Sequence, residues 1–373
     1  MYELKRVMGI VNLQENNSFI RELTDARAVE SLPFAGRYRM LDFALSSMVN
    51  SGIINVGIML PDFSRSVLDH IRSGKDWDLA RRHDGLYYLP AALPKDDSRP
   101  GDLKNFYFNL DFIEHNNPGQ KYVLLARGSF VYNMDFSNIL RFHQNTGADI
   151  TMVYHKMKAE SAGKNVVLGT AENGLVTDIS EKPAIYDGSK VSMSIYLMEK
   201  STFLDMVRNT SEHGGQDLLL DGVIRRASKY TIYAFEHTGY MAHIDSTAAY
   251  YKANMDILQP ENWETLFMGE HPVYTKVKDE VPVQYKETAS VKNSLIANGC
   301  VIRGEVENSV LFRSVKVGKG ARIKNSIIMQ RCEIRDGALI ENVICDKNVV
   351  ITKDKWLKGA ENYPLIVGKS VVI

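Results

Sequence analysis

Three cationic side chains, Arg37, Arg39 and Lys182, are the residues of this sequence best suited to bind a phosphate group. Arg37 and Arg39 lie in a loop with Gly36, and Lys182 follows Glu181. A Glu-Lys pair is usually a solvated surface pair, and the two arginines can equally hold their loop against neighbouring carboxylates. These residues therefore predict either a phosphate site or a structural loop.

The elements around the two arginines predict the start of an α/β domain. Residues 6–12 and 53–60 are apolar runs typical of buried parallel strands, and residues 40–48 place apolar side chains at helical spacing. Gly52 stands where a left-handed helix terminus is expected. Strand, loop, helix and strand in this order make a βαβ unit, whose first loop is where α/β folds bind phosphate-bearing ligands.

The stretch after this loop carries a family resemblance. Its matching positions are Phe34, Gly36, Arg37, Tyr38, Arg39, Asp42, Phe43, Leu45, Ser46, Asn50, Ser51, Gly52 and Ile53. This run resembles the glucose-1-phosphate adenylyltransferase (ADP-glucose pyrophosphorylase) family, and most of all its non-catalytic subunits. The resemblance implies an α/β, Rossmann-like nucleotidyltransferase domain, with a mostly parallel sheet and helices on both faces, followed by a left-handed parallel β-helix. We expect the domains at 1–260 and 290–373, with a linker at 261–289.

The residues that the family uses for catalysis are replaced in this chain. Active members have a glycine-rich loop with an arginine, a lysine shortly after it, and two carboxylates that hold magnesium. These degenerate positions fall on Phe19, Val29, Ser129 and His243. No glycine occurs between residues 10 and 30, and a neutral hydroxyl cannot anchor a hard divalent cation as a carboxylate does. We therefore expect no metal and no cofactor in this chain, and Mg²⁺ only in an active partner.

Other family positions are retained and are candidates for binding a sugar phosphate. The resemblance places the phosphate contact at Lys182, beside Glu181, and a sugar-region carboxylate at Asp217. Asp217 can instead cap the helix that follows it, as Asp135 is expected to cap another. Asp245, two residues beyond His243, is the nearest carboxylate that could replace the lost metal ligand.

The C-terminal part of the chain contains a repeat. Asn-containing segments starting at Asn293, Asn308, Asn325 and Asn342 recur at about three hexapeptides, the length of one β-helix coil. About four coils favour a packing and oligomerisation role, because open ends of a β-helix expose unpaired strand edges.

Composition excludes several classes of protein. The 373 residues have a formal net charge of zero, so no global field recruits nucleic acid or an anionic membrane. No apolar run approaches the length of a membrane span, and no secretory leader is expected. Three cysteines without paired spacing favour reduced thiols and a cytoplasmic location.

Three functional hypotheses follow. The first is a catalytically weak or inactive regulatory subunit that pairs with an active glucose-1-phosphate adenylyltransferase in glycogen biosynthesis, as a heterotetramer. The second is an active sugar-phosphate nucleotidyltransferase with rearranged ligands, such as Asp217 and Asp245. The third is a sensor that binds a sugar-phosphate or nucleotide effector through Lys182, Arg37 and Arg39 without chemistry. A homo-oligomer of the chain alone is also open.

Overall fold

The computed structural model describes residues 3–14, 19–25, 27–61, 63–92, 101–158 and 162–373, with only the backbone at 162–164 and 182–183. The chain divides into two compact units, and each is described by itself. The first comprises Met1–Glu15, Phe43–Met241 and His271–Tyr274, and the second comprises Asn16–Asp42, Ala242–Glu270 and Thr275–Ile373. In the described ranges no helix is long and apolar enough to cross a membrane.

The first unit is built on a mixed, mostly parallel sheet of nine strands. β1 is paired in parallel with β4 on one side and with β6 on the other, and β11 runs antiparallel to β6 and β8. The strands are β1 (Val7–Asn12), β4 (Asn55–Met59), β5 (Gly85–Leu89), β6 (Tyr122–Arg127), β8 (Ile150–Met157), β9 (Ala162–Thr170), β10 (Val176–Ala184), β11 (Ser189–Glu199) and β12 (Ile232–Glu236). The shorter strands outside it are β2 (Pro33–Phe34), β3 (Tyr38–Arg39), β7 (Phe130–Tyr132) and β13 (Met241–His243).

Helices cover both faces of this sheet because both faces of its central strand are apolar. Met8 and Ile10 of β1 join a core that includes Phe106 and Phe203 of two covering helices. On the opposite face, Gly9 lets Met48 pack against β1, since a Cβ at Gly9 would lie 2.7 Å from the Met48 sulfur. In chain order, the helices of both units are α1 (Arg21–Thr24), α2 (Leu41–Asn50), α3 (Arg65–Ile71), α4 (Asp102–Phe108), α5 (Leu110–His115), α6 (Phe136–Thr146), α7 (Lys200–Glu212), α8 (Thr247–Asp256) and α9 (Pro260–Phe267). Of these, α1, α8 and α9 belong to the second unit, and the others to the first except for the first two residues of α2.

The second unit contains a left-handed parallel β-helix whose coils form three parallel sheets. Sheet 1 consists of β14 (Gln284–Tyr285), β17 (Val301–Ile302), β20 (Lys316–Val317), β23 (Glu333–Ile334) and β26 (Val350–Ile351). Sheet 2 consists of β15 (Ser290–Lys292), β18 (Glu305–Glu307), β21 (Arg322–Lys324), β24 (Leu339–Glu341) and β27 (Trp356–Lys358). Sheet 3 consists of β16 (Leu295–Ile296), β19 (Val310–Leu311), β22 (Ile327–Ile328), β25 (Val343–Cys345) and β28 (Leu365–Val367).

Aliphatic side chains fill the centre of the coils, and asparagines turn the corners. Ile302, Val317, Ile334 and Ile351 stack in register inside sheet 1. The repeat asparagines Asn293, Asn308, Asn325 and Asn342 have positive φ angles of 40° to 54°, which asparagine tolerates better than most residues. The repeat predicted from the sequence is therefore a β-helix repeat.

An N-terminal segment and α8 pack against the β-helix inside the second unit. The Ala35 amide donates to the Asn254 side chain over 3.1 Å, and the Tyr251 hydroxyl donates to the Asn325 carbonyl. Gly36, at φ +76°, lies so close to Leu295 that a Cβ would meet its Cδ2 at 2.9 Å. The retained glycine of the loop is thus needed for packing as well as for its backbone angle.

The fold class predicted from the sequence is confirmed. The predicted helix at 40–48 is α2, Gly52 has φ +93°, and Asp135 caps α6 by accepting from the Ser137 amide. The segment predicted as a linker contains α9 and the first strand of the β-helix. The predicted domain boundaries themselves stay predictions.

Candidate functional site

The turn after β6 is where the family resemblance places the first metal carboxylate. Arg127 ends β6 in register with Asn12, which ends β1, and the Gly128 amide donates to the Asn12 carbonyl over 3.3 Å. Ser129 follows and is 1% exposed. The turn therefore presents a hydroxyl and a guanidinium where a hard cation requires carboxylates, so these residues do not fit Mg²⁺.

The charge of Arg127 affects the pKa of Tyr196, a buried tyrosine on the strand next to β6. Burial raises the pKa of Tyr196, and the positive charge of Arg127 partly opposes that rise. Arg127 is thus close enough to impose its charge on the strand ends. Within the described ranges, no group of three or more His, Cys, Asp or Glu side chains is arranged to hold a metal ion.

Polar side chains at the end of β1 and on α4 are hydrogen-bonded to one another. Asn12 donates to the Asp102 carboxylate over 3.3 Å and accepts from the Gln14 amide over 3.1 Å. Asp102 also accepts from the Leu218 amide over 2.8 Å, and Asn105 donates to the Gln14 side chain. The backbone amide and side chain of Gln14, which a phosphate-binding loop would direct at its ligand, are therefore bound within the protein. Glu15–Ser18, the rest of the predicted loop position, lie outside the described residues.

Asp217 caps the π-helical turn Leu218–Val223. Its Oδ1 accepts from the Leu220 amide over 2.7 Å, so the structural alternative predicted for this carboxylate is present. Glu181 is exposed on β10, and the side chain of Lys182 lies outside the described residues. The sugar-phosphate roles of these three residues stay predictions.

The other degenerate positions lie in the second unit. Phe19 is 77% exposed and its carbonyl accepts from the Thr247 amide, whereas Val29 is buried in the short 3-10 turn Val29–Ser31. His243 ends β13, and Asp245 is partly buried just before α8. None of these four side chains is a cation that could replace the lost arginine or lysine.

The predicted arginines Arg37 and Arg39 instead belong to a group of cations in the second unit, which we call the cation cluster. Its members are Arg27, Arg37, Arg39, Lys278, Arg313 and Lys347. Arg313 donates to the Arg37 carbonyl over 3.4 Å. Arg27 forms a buried ion pair with Asp346, with Nη2 and Oδ2 2.8 Å apart. The Arg39 amide donates to Asp42 over 2.9 Å, so carboxylates balance part of the positive charge.

Burial, and after it repulsion from neighbouring cations, lowers the pKa values of three members of the cluster. Desolvation and then the charges of Arg39 and Arg27 lower the pKa of Lys347 to about 7, with Asp346 opposing. The pKa of Lys278 is lowered by desolvation and by Arg313 and Arg39 among other cations. The pKa of Arg313 is lowered by desolvation and by Arg37. Like charges held together in a partly dry site favour an anion, because its charge would relieve their repulsion.

An aromatic stack adjoins the cluster through Arg37. The Arg37 guanidinium lies 5.6 Å from the centre of the Tyr38 ring, which stacks on Phe267 with centroids 4.9 Å apart. Trp263 continues the stack at 4.5 Å from Phe267. The cation–π contact and the stack hold the loop between Gly36 and Arg39 in place.

Sequence reasoning found Arg37 and Arg39 but missed the other members of the cluster. Arg27 and Asp346 are 319 positions apart, and no local pattern links them. Lys278 lies in a segment read as a linker, and Lys347 follows a β-helix strand in an ordinary Asp-Lys-Asn turn. Only the fold brings them together.

Comparisons with known proteins agree with this architecture. The family profile described as Nucleotidyl transferase matches residues 19–260, and the profile described as GlmU-like, C-terminal hexapeptide matches residues 280–358. The chain is 38% identical to the glycogen biosynthesis protein GlgD of Bacillus subtilis (strain 168), over 98% of this chain and 97% of that protein. It is 39% identical to GlgD of Geobacillus stearothermophilus, over 98% and 97%.

A catalytic relative is more distant. The chain is 31% identical to the glucose-1-phosphate adenylyltransferase of Mycoplasma mobile, over 86% of this chain and 85% of that protein. The resemblance predicted from the Phe34–Ile53 run is confirmed over almost the whole length. The chain therefore belongs to the nucleotidyl transferase family, as a glycogen biosynthesis protein related to ADP-glucose pyrophosphorylase.

Proposed function

We propose that this chain is a regulatory, catalytically weak or inactive subunit that modulates an active glucose-1-phosphate adenylyltransferase in bacterial glycogen biosynthesis. The observation that carries the proposal is the turn Arg127-Gly128-Ser129 at the strand ends, with a buried hydroxyl and a cation in place of a metal carboxylate. Nucleotidyl transfer depends on positioning and on neutralising phosphate charge with metal ions. Losing one such group commonly costs about 100-fold or more in rate.

The hydrogen bonds around Asn12 support the same proposal. Asp102 accepts from Asn12, Asn105 donates to Gln14, and these side chains also bind nearby backbone groups, so a nucleotide would have to displace these partners before it could bind. The proposed magnesium ions and the chemistry belong to the active partner. Three buried free cysteines, Cys300, Cys332 and Cys345, support a reducing, cytoplasmic location.

The regulatory part of the proposal rests on the cation cluster. An anionic effector, such as a sugar phosphate or a nucleotide, would bind among Arg39, Lys278, Arg313 and Lys347. Its charge would oppose the desolvation and the repulsion that lower the pKa values of Lys347 and Lys278. Binding at this cluster would shift the partner's affinity for substrates or effectors through a shared interface.

The partner would assemble on the C-terminal end of the β-helix, which we call the end surface. Leu339, Trp356, Tyr363 and Leu365 are exposed there by 39, 70, 77 and 38%. Leu339 and Trp356 lie in register on adjacent coils of sheet 2. In the earlier coils, the residues in register with them are the charged Glu305 and Arg322. An exposed apolar patch at open strand edges is typical of an interface. A mixed tetramer with the catalytic subunit is the assembly we propose.

The test compares ADP-glucose synthesis by this chain, by a catalytic subunit and by the two after co-expression. The proposal expects no turnover, or a trace, from the lone chain and a changed maximal rate or substrate affinity in the mixture. An ordinary enzymatic rate from the lone chain would instead establish the nucleotidyltransferase alternative. Asp217 and Asp245 would then be the next residues to substitute.

A further inference from the structure

We infer that sheet 1 of the β-helix carries a second anion-binding site, separate from the cation cluster, for a small polyanion with phosphate or carboxylate groups. The site is a groove of about 610 Å³, lined by four cations and two carboxylates among others: Arg303, Lys316, Arg335, Lys353, Glu333 and Asp336. We call it the charged groove. Its volume is in the range of clefts that hold small molecules, roughly 300 to 1,000 Å³.

A glycine lies between the two arginines of the groove. Arg303, Gly318 and Arg335 follow the strands β17, β20 and β23 in successive coils, and their amides continue the ladder by donating to Val317, Ile334 and Ile351. Because coils are about 4.8 Å apart, the two arginines leave the backbone about 10 Å apart, on either side of the glycine. A Cβ at Gly318 would lie 2.5 Å from the Asp336 amide nitrogen, so the next coil lies close against position 318 and no side chain stands there between the two arginines.

Among the described residues, two of the four cations of the groove lack the ion pairs that are usual on the neighbouring sheet. On sheet 2 each cation faces a carboxylate of the adjacent coil, as in Arg322–Glu305 at 3.3 Å and Lys324–Glu307 at 3.6 Å. In the groove, Glu333 lies in register with Lys316 but pairs with Arg335 at 3.2 Å, and Lys353 pairs with Asp354 at 3.9 Å. Arg303 and Lys316 form no ion pair with any residue that the structure describes.

This contrast indicates what the groove would bind. Guanidinium groups bind phosphate and carboxylate through paired hydrogen bonds, and an ammonium adds a point charge. Arg303 and Lys316 lie on adjacent coils beside Gly318, next to the partly buried Val301. A ligand with two or more anionic groups and a small body would engage both cations and rest on the floor of the groove.

The experiment is calorimetric titration of the full chain with pyrophosphate and, separately, with citrate at low ionic strength. It is done in a background carrying R39Q and K347Q, so that the cation cluster contributes little. The variant R303Q/K316Q is expected to weaken binding at least tenfold. The matched control R322Q/K324Q, which removes the same charges from sheet 2, is expected to change it less than twofold. Tighter binding of pyrophosphate or of citrate decides between a phosphate and a carboxylate ligand.

Two results would overturn the inference. One is the absence of binding in the R39Q/K347Q background. This result would rule out the charged groove as an anion site and would not contradict the proposed function, whose regulatory part rests on the cation cluster. The other is an equal loss in R303Q/K316Q and R322Q/K324Q, which would indicate a general effect of surface charge. Far-ultraviolet circular dichroism and thermal melting of each variant establish that the β-helix is intact.

Discussion

Lys347 is expected to take up a proton when an anion binds the cation cluster. Its pKa is lowered to about 7 by desolvation and by Arg39 and Arg27, so the side chain is mostly neutral above that pH. An anion stabilises the charged form and raises the pKa towards its ordinary value. With these values, about 0.9 proton is taken up on binding near pH 8 and about 0.1 near pH 6.

Proton uptake by Lys347 also makes the affinity for the anion depend on pH. Because the protonated form binds the anion, affinity rises as the pH falls, by about tenfold between pH 8 and pH 6, and then levels off. Sulfate is the suitable probe because its own charge does not change in this range. Calorimetry in two buffers of different ionisation enthalpy measures the number of protons, and the affinity comes from the same titrations.

Two substitutions isolate the contribution of Lys347. K347Q is expected to abolish proton uptake and the pH dependence and to weaken affinity by at least about tenfold even near pH 8, because the wild-type side chain becomes charged in the bound state at that pH. K347R keeps the charge at all these pH values, so affinity near pH 8 should rise about tenfold without proton uptake. Sulfate binding without proton uptake, or uptake that persists in K347Q, would refute the reasoning.

Three further predictions test the second unit. R27M leaves Asp346 buried without its partner and should lower the free energy of unfolding by about 3 to 5 kcal/mol, measured by denaturant titration against a surface control. G36A forces a Cβ against Leu295 at φ +76° and should cost about 1 to 3 kcal/mol in the same assay; a neutral effect would contradict this packing. W356E should reduce the mass of the mixed assembly in light scattering, whereas serine at the equally exposed Tyr186 should not.

Local patterns predicted the elements of the fold well. The apolar runs at 6–12 and 53–60 are strands β1 and β4, because continuous apolar sequence suits strands buried on both faces. The Asn-containing repeat marks the corners of the β-helix, because each coil needs a residue that accepts a positive φ. Asp135 and Asp217 cap the turns that follow them, which short acidic side chains do from local geometry alone.

Non-local features of the site were beyond the sequence. The cation cluster joins residues from four separate stretches of the chain, and the charged groove depends on the register of four coils. The segment at 261–289 has the prolines and mixed charges of a linker, yet it contributes α9, β14 and Lys278. Its contacts come from tertiary packing, which composition does not encode.

The central claim is that turnover in the mixed enzyme belongs to the partner and regulation to this chain. The most direct measurement uses a mixed oligomer in which the catalytic subunit has lost its metal-binding carboxylates while this chain is unchanged. The account predicts no ADP-glucose synthesis above background from that oligomer, with or without an anionic effector. Magnesium-dependent synthesis that falls when Asp217 or Asp245 of this chain is substituted would contradict it.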